Sequence, residues 1–293
     1  MRNPTLKLRN DKLIGSPPVE SGSELRRRSA KPRMLIVTLF FAPEPIGISK
    51  YTGEMAQWLV EAGFEVRTVA AVPFYPQWAL YPGYPQWRFS TEQIGQVKVI
   101  RCPLWVPPNA SGFTRVLHLL SFALSSNLAV LAQLGWKPDH IFVIMPTMVY
   151  LPAVVVLSKL LNIHTWLHVQ DFELDLAKDL NILPFAKWLT ASLLLVENWF
   201  FAQFNKVSTI SADMVKRLIK EKNVPAAKTT LLQNWVDADE IFPLRQASPF
   251  RKQLNIPAEK IVALYAGNMG RKYDLDLLAD TAQNLSDHPE IEF

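Results

Sequence analysis

The chain predicts an α/β protein built on a doubly wound, largely parallel sheet, and three observations carry that prediction. Residues 34–39 form a short apolar run, a turn-rich loop with Gly47 follows, and Met55, Leu59 and Ala62 then recur at helical spacing before Gly63 and a second apolar run at 65–71. That is the strand, loop, helix, strand order of an opening βαβ unit. The alternation returns with a strand start at 138–144, a helix from about 150 to 161 and a strand at 163–169. It returns again late in the chain, where residues 261–267 are apolar enough for a buried parallel strand and helical spacing resumes near Asp274.

Taken in order, the loop after the first strand lies at the carboxyl edge of the sheet, where open α/β sheets bind ligands. Gly47 stands alone there, whereas a dinucleotide turn needs the three glycines of G-x-G-x-x-G. The second strand ends in Val69, Ala70, Ala71 and Val72, with no acid to hold a ribose, so a nicotinamide-dependent oxidoreductase is disfavoured. Two segments dense in Pro and aromatics follow, at 73–78 and 81–87. Tyr75 and Trp78 either line a sugar or lipid acceptor site or close over the sheet edge. Residues 113–134 are long and apolar, but Arg115 opens them and His118, Ser121, Ser125, Ser126, Asn127 and Gln133 interrupt them. A buried or partly membrane-facing helix is expected there in preference to a span. His118 and His140 are expected to be packed side chains.

The strand at 163–169 ends in His168, Val169, Gln170 and Asp171. His168 and Asp171 are candidates for chemistry because that end reaches the same edge as the Gly47 loop. A histidine suits acid/base or polarising work near neutral pH, and Asp171 can orient it or accept a hydroxyl hydrogen bond. A hydrogen-bonded sheet-end residue is the alternative for His168, and His164 reads as structural. A long apolar helix is expected from 185 to 202, then short strands at 207–211 and 229–232 flanking a helix at 213–222 with Ser211 as its N-cap. Polar residues between Pro243 and Pro249 mark an interdomain boundary at 238–249.

The late strand-loop-helix has the makings of an anion site. Gly267 and Gly270 let backbone approach an anion, Arg271 and Lys272 bring positive charge, and the following helix presents unpaired N–H groups. An ordinary turn with exposed cations has the same outline, so the motif alone leaves both readings open.

The formal charge of +5 sits in a tail: residues 1–33 hold nine Lys/Arg against three acids, and the remainder carries 22 basic residues against 23 acidic. The body therefore makes no electrostatic case for nucleic acid. The tail is rich in Ser, Pro and Arg and is expected to be disordered, with no secretory signal pattern. The single cysteine, Cys102, fits a reducing compartment, and the histidines lack metal-ligand spacing.

Together these stretches resemble family 4 glycosyltransferases of the GT-B fold, and most closely the WcaI-like enzymes of colanic acid and exopolysaccharide assembly. The resemblance lies in residues 41–55 with Pro43, Glu44, Pro45 and Gly47, in 73–78, in His168 through Glu173, and in Gly267 through Lys272. It implies a GT-B protein with a complete N-terminal Rossmann-like domain at 34–237, a linker at 238–249 and the truncated start of a second Rossmann-like domain at 250–293. It also implies transfer of a sugar from a nucleotide-sugar donor to a growing, lipid-linked oligosaccharide. Gly47, Gly267, Asn268, Gly270, Arg271 and Lys272 would bind the donor diphosphate, and His168 would match the histidine of the catalytic site. No metal or other cofactor is implied, because cations and helix dipoles can stabilise the leaving diphosphate. The acidic E-x7-E motif of the family is absent from the chain, so a catalytically silent remnant acting as a binding module is the alternative. The expected location is the cytoplasm, with peripheral contact at the inner face of the plasma membrane left open.

Overall fold

The computed structural model describes residues 31–109, 112–175, 187–244, 246–267 and 275–293. Packing divides the chain after Trp235. The first unit contains strands β1 (Arg33–Val37), β2 (Glu65–Ala71), β3 (Ser90–Ile94), β4 (Val97–Cys102), β5 (His140–Met145), β6 (His164–Val169), β7 (Lys206–Thr209) and β8 (Thr229–Leu231). Its helices are α1 (Gly47–Glu61), α2 (Gly112–Leu131), α3 (Leu151–Leu161), α4 (Lys187–Gln203) and α5 (Ala212–Lys220). The strands form one sheet in the order β3-β4-β2-β1-β5-β6-β7-β8, parallel throughout except for β3. The connections leave β1 in one direction and reach β5 in the other, so the topological switch lies between these two strands.

Strand β1 is a continuous apolar run because both faces are covered: Leu35, Ile36 and Val37 are all fully buried. Side chains alternate between two cores. Leu35 and Val37 pack with Phe122 and Val130 of α2, Val154 and Leu157 of α3, and Phe201 of α4. Ile36 instead joins Ala56, Leu59 and Val60 of α1, together with Phe142 and Ile144 of β5. Helices α2, α3 and α4 therefore cover one face and α1 the other. Helix α5 is capped by the Ser211 hydroxyl, which accepts from the Met214 N–H at 3.2 Å, and Asn162 ends α3 in a left-handed conformation.

Strands β3 and β4 were not foreseen. They form an antiparallel hairpin whose alternation is half polar, turned at Gly95 with φ +57°. A Cβ at Gly95 would lie 2.4 Å from Gln57 Nε2. That amide donates to the Ile94 carbonyl at 2.8 Å and ties the hairpin to α1.

Helix α2 buries polar side chains beside its apolar ones and leaves several leucines outside. His118, Ser125 and Ser126 are buried, while Leu120, Leu124 and Leu128 stand 57%, 70% and 55% exposed. Of the polar residues that broke up the apolar pattern, His118, Ser125, Ser126 and Asn127 turn inward and bond to backbone. Ser125 Oγ donates to Pro103 O at 2.6 Å, and Asn127 Nδ2 donates to Val149 O at 2.7 Å. Asn127 Oδ1 accepts from the Ala153 N–H at 2.8 Å, satisfying a free donor in the first turn of α3. His118 is packed as expected, its Nδ1 2.7 Å from Trp105 O. His140, expected to be packed, is exposed because it opens β5 at the sheet's amino edge, with its ring edge toward Phe64.

The second unit holds α6 (Pro249–Gln253), β9 (Ile261–Val262), α7 (Leu275–Asn284) and β10 (Ile291–Glu292). β9 pairs in parallel with β10. The buried strand expected at 261–267 is instead short and open, with Ile261 61% and Leu264 81% exposed. A ladder of two strands offers it little to bury against. Asn268, Gly270, Arg271 and Lys272 lie outside the described residues, as do residues 1–30 of the tail.

Candidate functional site

The site is built at the carboxyl edge of the first unit's sheet, around the switch between β1 and β5. Register places Ile144, His168 and Ser208 side by side on β5, β6 and β7, so their side chains share the face covered by α1. His168 is 4% exposed, and both ring nitrogens are engaged. The Gln170 amide donates to Nε2 at 2.9 Å. With Nε2 accepting, Nδ1 carries the proton and donates to Ser208 Oγ at 2.8 Å. Ser208 Oγ also accepts from Trp166 Nε1 at 2.8 Å. Burial lowers the His168 pKa to about 4, so the ring is neutral at physiological pH.

Gln170 continues this row outward. Its Nε2 donates to Asn234 Oδ1 at 3.0 Å and its Oε1 accepts from Asn234 Nδ2 at 3.2 Å. The paired amides hold the end of β6 against the segment after β8. Beside them, Tyr51 of α1 meets the Trp235 ring at 5.3 Å, and Trp235 Nε1 donates to Glu54 Oε2 at 2.7 Å. Tyr51, Thr52, His168, Gln170 and Trp235 thus line one shallow pocket. Sequence reasoning placed His168 correctly at this edge but missed Gln170 and Asn234. Asp171 is partly exposed just beyond Gln170 on the same edge.

A second constellation fixes the two loops after β1 and β2. Glu44, 4% exposed, receives the Phe74 and Tyr75 N–H groups on Oε1 at 3.0 and 2.9 Å, and the Phe41 N–H on Oε2 at 3.3 Å. Burial raises its pKa, while these backbone donors and Arg101 pull it back down. Arg101, fully buried at the end of β4, donates from Nε to Glu92 Oε1 at 2.6 Å, from Nη1 to Ala71 O at 3.0 Å, and from Nη2 to Ala42 O. The Gly47 loop and the Pro-aromatic loop are therefore held together by charged side chains bonded to backbone. A Glu flanked by two prolines was the available signal, since a carboxylate inside an apolar turn needs such donors.

Gly47 is the first residue of α1, and a Cβ placed there would meet only the Tyr51 ring at 3.6 Å, an ordinary contact. Tyr75 packs on the Phe40 ring at 5.6 Å. Trp78 packs on Phe74 at 5.6 Å and His118 at 5.2 Å, with the Arg115 guanidinium 5.4 Å from its ring centre. Both remain half-buried, so each keeps an accessible edge. Gly267 lies in the second unit, exposed, where a Cβ would stand 3.1 Å from the Tyr265 hydroxyl. No group of three or more His, Cys, Asp or Glu side chains suited to a metal occurs among the described residues.

Known proteins agree with this architecture. The glycosyl transferase 4-like domain matches residues 47–235. The Escherichia coli (strain K12) protein that carries the name colanic acid biosynthesis glycosyl transferase WcaI is 38% identical over 263 residues, covering 88% of this chain and 64% of that protein. The chain thus spans somewhat less than two thirds of that relative. Among solved structures, the sucrose-phosphate synthase of Thermosynechococcus elongatus superposes with a TM-score of 0.62 at 16% identity, over 86% of this chain and 60% of its own. The catalytic domain of starch synthase IV from Arabidopsis thaliana gives 0.57 at 14% identity, over 88% and 67%. These likenesses show a fold of the GT-B type. With the domain match spanning the strands and helices that build the carboxyl-edge site, the chain belongs to the glycosyl transferase 4-like family.

Proposed function

We propose that this chain is part of a nucleotide-sugar-dependent glycosyltransferase that extends a lipid-linked exopolysaccharide oligosaccharide of the colanic acid type, in the cytoplasm. The observation that carries the reading is the carboxyl edge itself. Within the family match, the start of α1, the end of β6 and the segment after β8 converge on one pocket. The 38% identical relative is named for colanic acid biosynthesis, and the starch synthase IV structure was solved with ADP and acarbose.

In this reading the donor diphosphate meets the N-terminal end of α1 at Gly47, where backbone N–H groups and the helix dipole favour an anion. Gly267, Asn268, Gly270, Arg271 and Lys272 of the second unit are the further candidates for phosphate contact. Asp171 faces the reacting sugar, accepting from a hydroxyl. His168 acts through Gln170: a neutral imidazole, held by Ser208, fixes the amide that faces the pocket. Tyr75 and Trp78 offer aromatic edges to the acceptor. Stabilisation of the leaving diphosphate by cations and oriented N–H groups supplies the transition-state charge balance, and no cofactor is invoked.

The test is donor turnover by the purified full chain with a panel of UDP-, GDP- and ADP-sugars, alone and with extracted lipid-linked acceptor. Turnover that falls by on the order of a hundredfold or more in Lys272→Ala, with the melting temperature kept, is the expected result for a lost phosphate contact. Absence of both turnover and nucleotide-sugar binding across the panel overturns the reading.

A further inference from the structure

Helix α2, apolar on its outer side as well as its inner one, leaves the first unit with a surface that its own fold does not explain. Leu120, Leu124 and Leu128 point outward at helical spacing, Leu160 of α3 is 66% exposed, and Trp188 and Leu195 of α4 are 71% and 70% exposed. These three helices lie on one face of the sheet. Their outer sides carry several large exposed apolar side chains, and contiguous apolar surface of this kind marks interaction sites.

The charges around it point to its occupant. Residues 112–138 and 140–170 contain no acidic residue at all. Asp139, between them, accepts from the Arg33 N–H at 2.8 Å. The one acid of α4, Glu197, is buried against Lys222 at 2.7 Å. Cations by contrast gather where the helices end. Lys137 follows α2, Lys159 closes α3 and reaches Gln203 of α4, and Lys228 donates to the carbonyls of Ala202 and Phe204 at the end of α4. An apolar plain with a basic fringe and tryptophans complements anionic headgroups above acyl chains.

We propose that the outer faces of α2, α3 and α4 dock on an anionic lipid bilayer, resting flat on it without crossing. The inward polar row of α2 is the counterpart of that role, since it anchors the helix to the unit through Asn127, Ser125 and His118 and leaves the leucines for lipid. The purpose of the contact rests on the proposed lipid-linked acceptor, and docking brings the unit to the membrane that carries it.

The test is co-sedimentation of the full chain with vesicles of phosphatidylcholine alone and of phosphatidylcholine mixed with phosphatidylglycerol. Binding is expected with the anionic mixture. It should fall by on the order of tenfold or more in the double variant Leu124→Gln, Leu128→Gln, and should weaken in Lys159→Glu. The melting temperature of the double variant should match the parent, which shows that it folds. Unchanged binding by the folded double variant assigns attachment elsewhere, to the basic tail for example, and overturns the proposal. So does a parent that ignores anionic vesicles, or one whose dimer, seen by light scattering, is broken by the same leucine variants. The readout uses no nucleotide-sugar, so a failed donor assay leaves it standing, and a failed sedimentation leaves the donor assay standing.

Discussion

Two of the first unit's buried polar regions are built differently. At the carboxyl edge the groups are ionisable: Glu44, Arg101 and His168 are all less than 5% exposed. Beneath α2 they are neutral, namely hydroxyls and amides with one histidine. The edge must hold irregular loops whose backbone N–H and C=O groups have no ladder partner, and Glu44 and Arg101 collect several of them at once. The α2 row meets backbone that is already mostly paired, so single neutral bonds suffice. In these two regions charge marks the loops that shape the site and neutral polarity an anchored helix, while a separate buried ion pair, Glu197 with Lys222, ties α4 to the turn after α5.

That contrast predicts unequal costs. Arg101→Ala should be the most damaging change, at about 3–5 kcal/mol, because it leaves the buried Glu44 carboxylate without its neighbouring cation and strands the Ala42 and Ala71 carbonyls. Urea unfolding followed by far-UV circular dichroism measures it, and a loss under 1 kcal/mol would dissolve the distinction. The next effect is one of pH. The unfolded His168 pKa of 6.5 drops to about 4 on folding. Stability from the neutral ring is therefore present above pH 6.5 and lost as pH falls from there toward 4, by up to about 3 kcal/mol. His118, also lowered by burial, adds in the same sense, while Glu44, raised by burial, opposes at the lower end. The difference in unfolding free energy between pH 7 and pH 4.5 should shrink clearly in His168→Gln. Asn127→Leu should cost less, about 1–3 kcal/mol, since it frees the Val149 carbonyl and the Ala153 N–H but buries no charge.

The same two regions show what could be read in advance. The central strands were legible because burial on both faces makes them continuous apolar runs, as at residues 34–37. The β3–β4 hairpin was not, because an edge strand with one covered face keeps half its residues polar. The direction of α2 was hidden for a related reason. A helix shows its apolar face by spacing only when polar groups prefer water, and here Ser125 and Asn127 find backbone partners inside. His168 could be placed at the sheet edge from its strand alone. Its amide relay could not, since Asn234 stands 64 residues from Gln170 in sequence. Glu44 looked like part of a proline turn, because its bonds to Phe74 and Tyr75 also depend on tertiary contact.

The smallest predicted effect on stability separates a glycine of the fold from a glycine of the site. Gly95 has φ +57°, and a Cβ there would force Gln57 away from the Ile94 carbonyl. Gly95→Ala should therefore cost about 1 kcal/mol or more. Gly47 has room for a Cβ beside Tyr51 and occupies the first position of a helix. Gly47→Ala should leave unfolding within about 0.5 kcal/mol of the parent. If the start of α1 receives the donor diphosphate, the added methyl stands where backbone and phosphate approach, and the KM for the nucleotide-sugar should rise although the fold is intact. Unchanged stability together with unchanged donor kinetics would place the diphosphate away from this loop and leave Glu44 and Arg101 with a purely structural office.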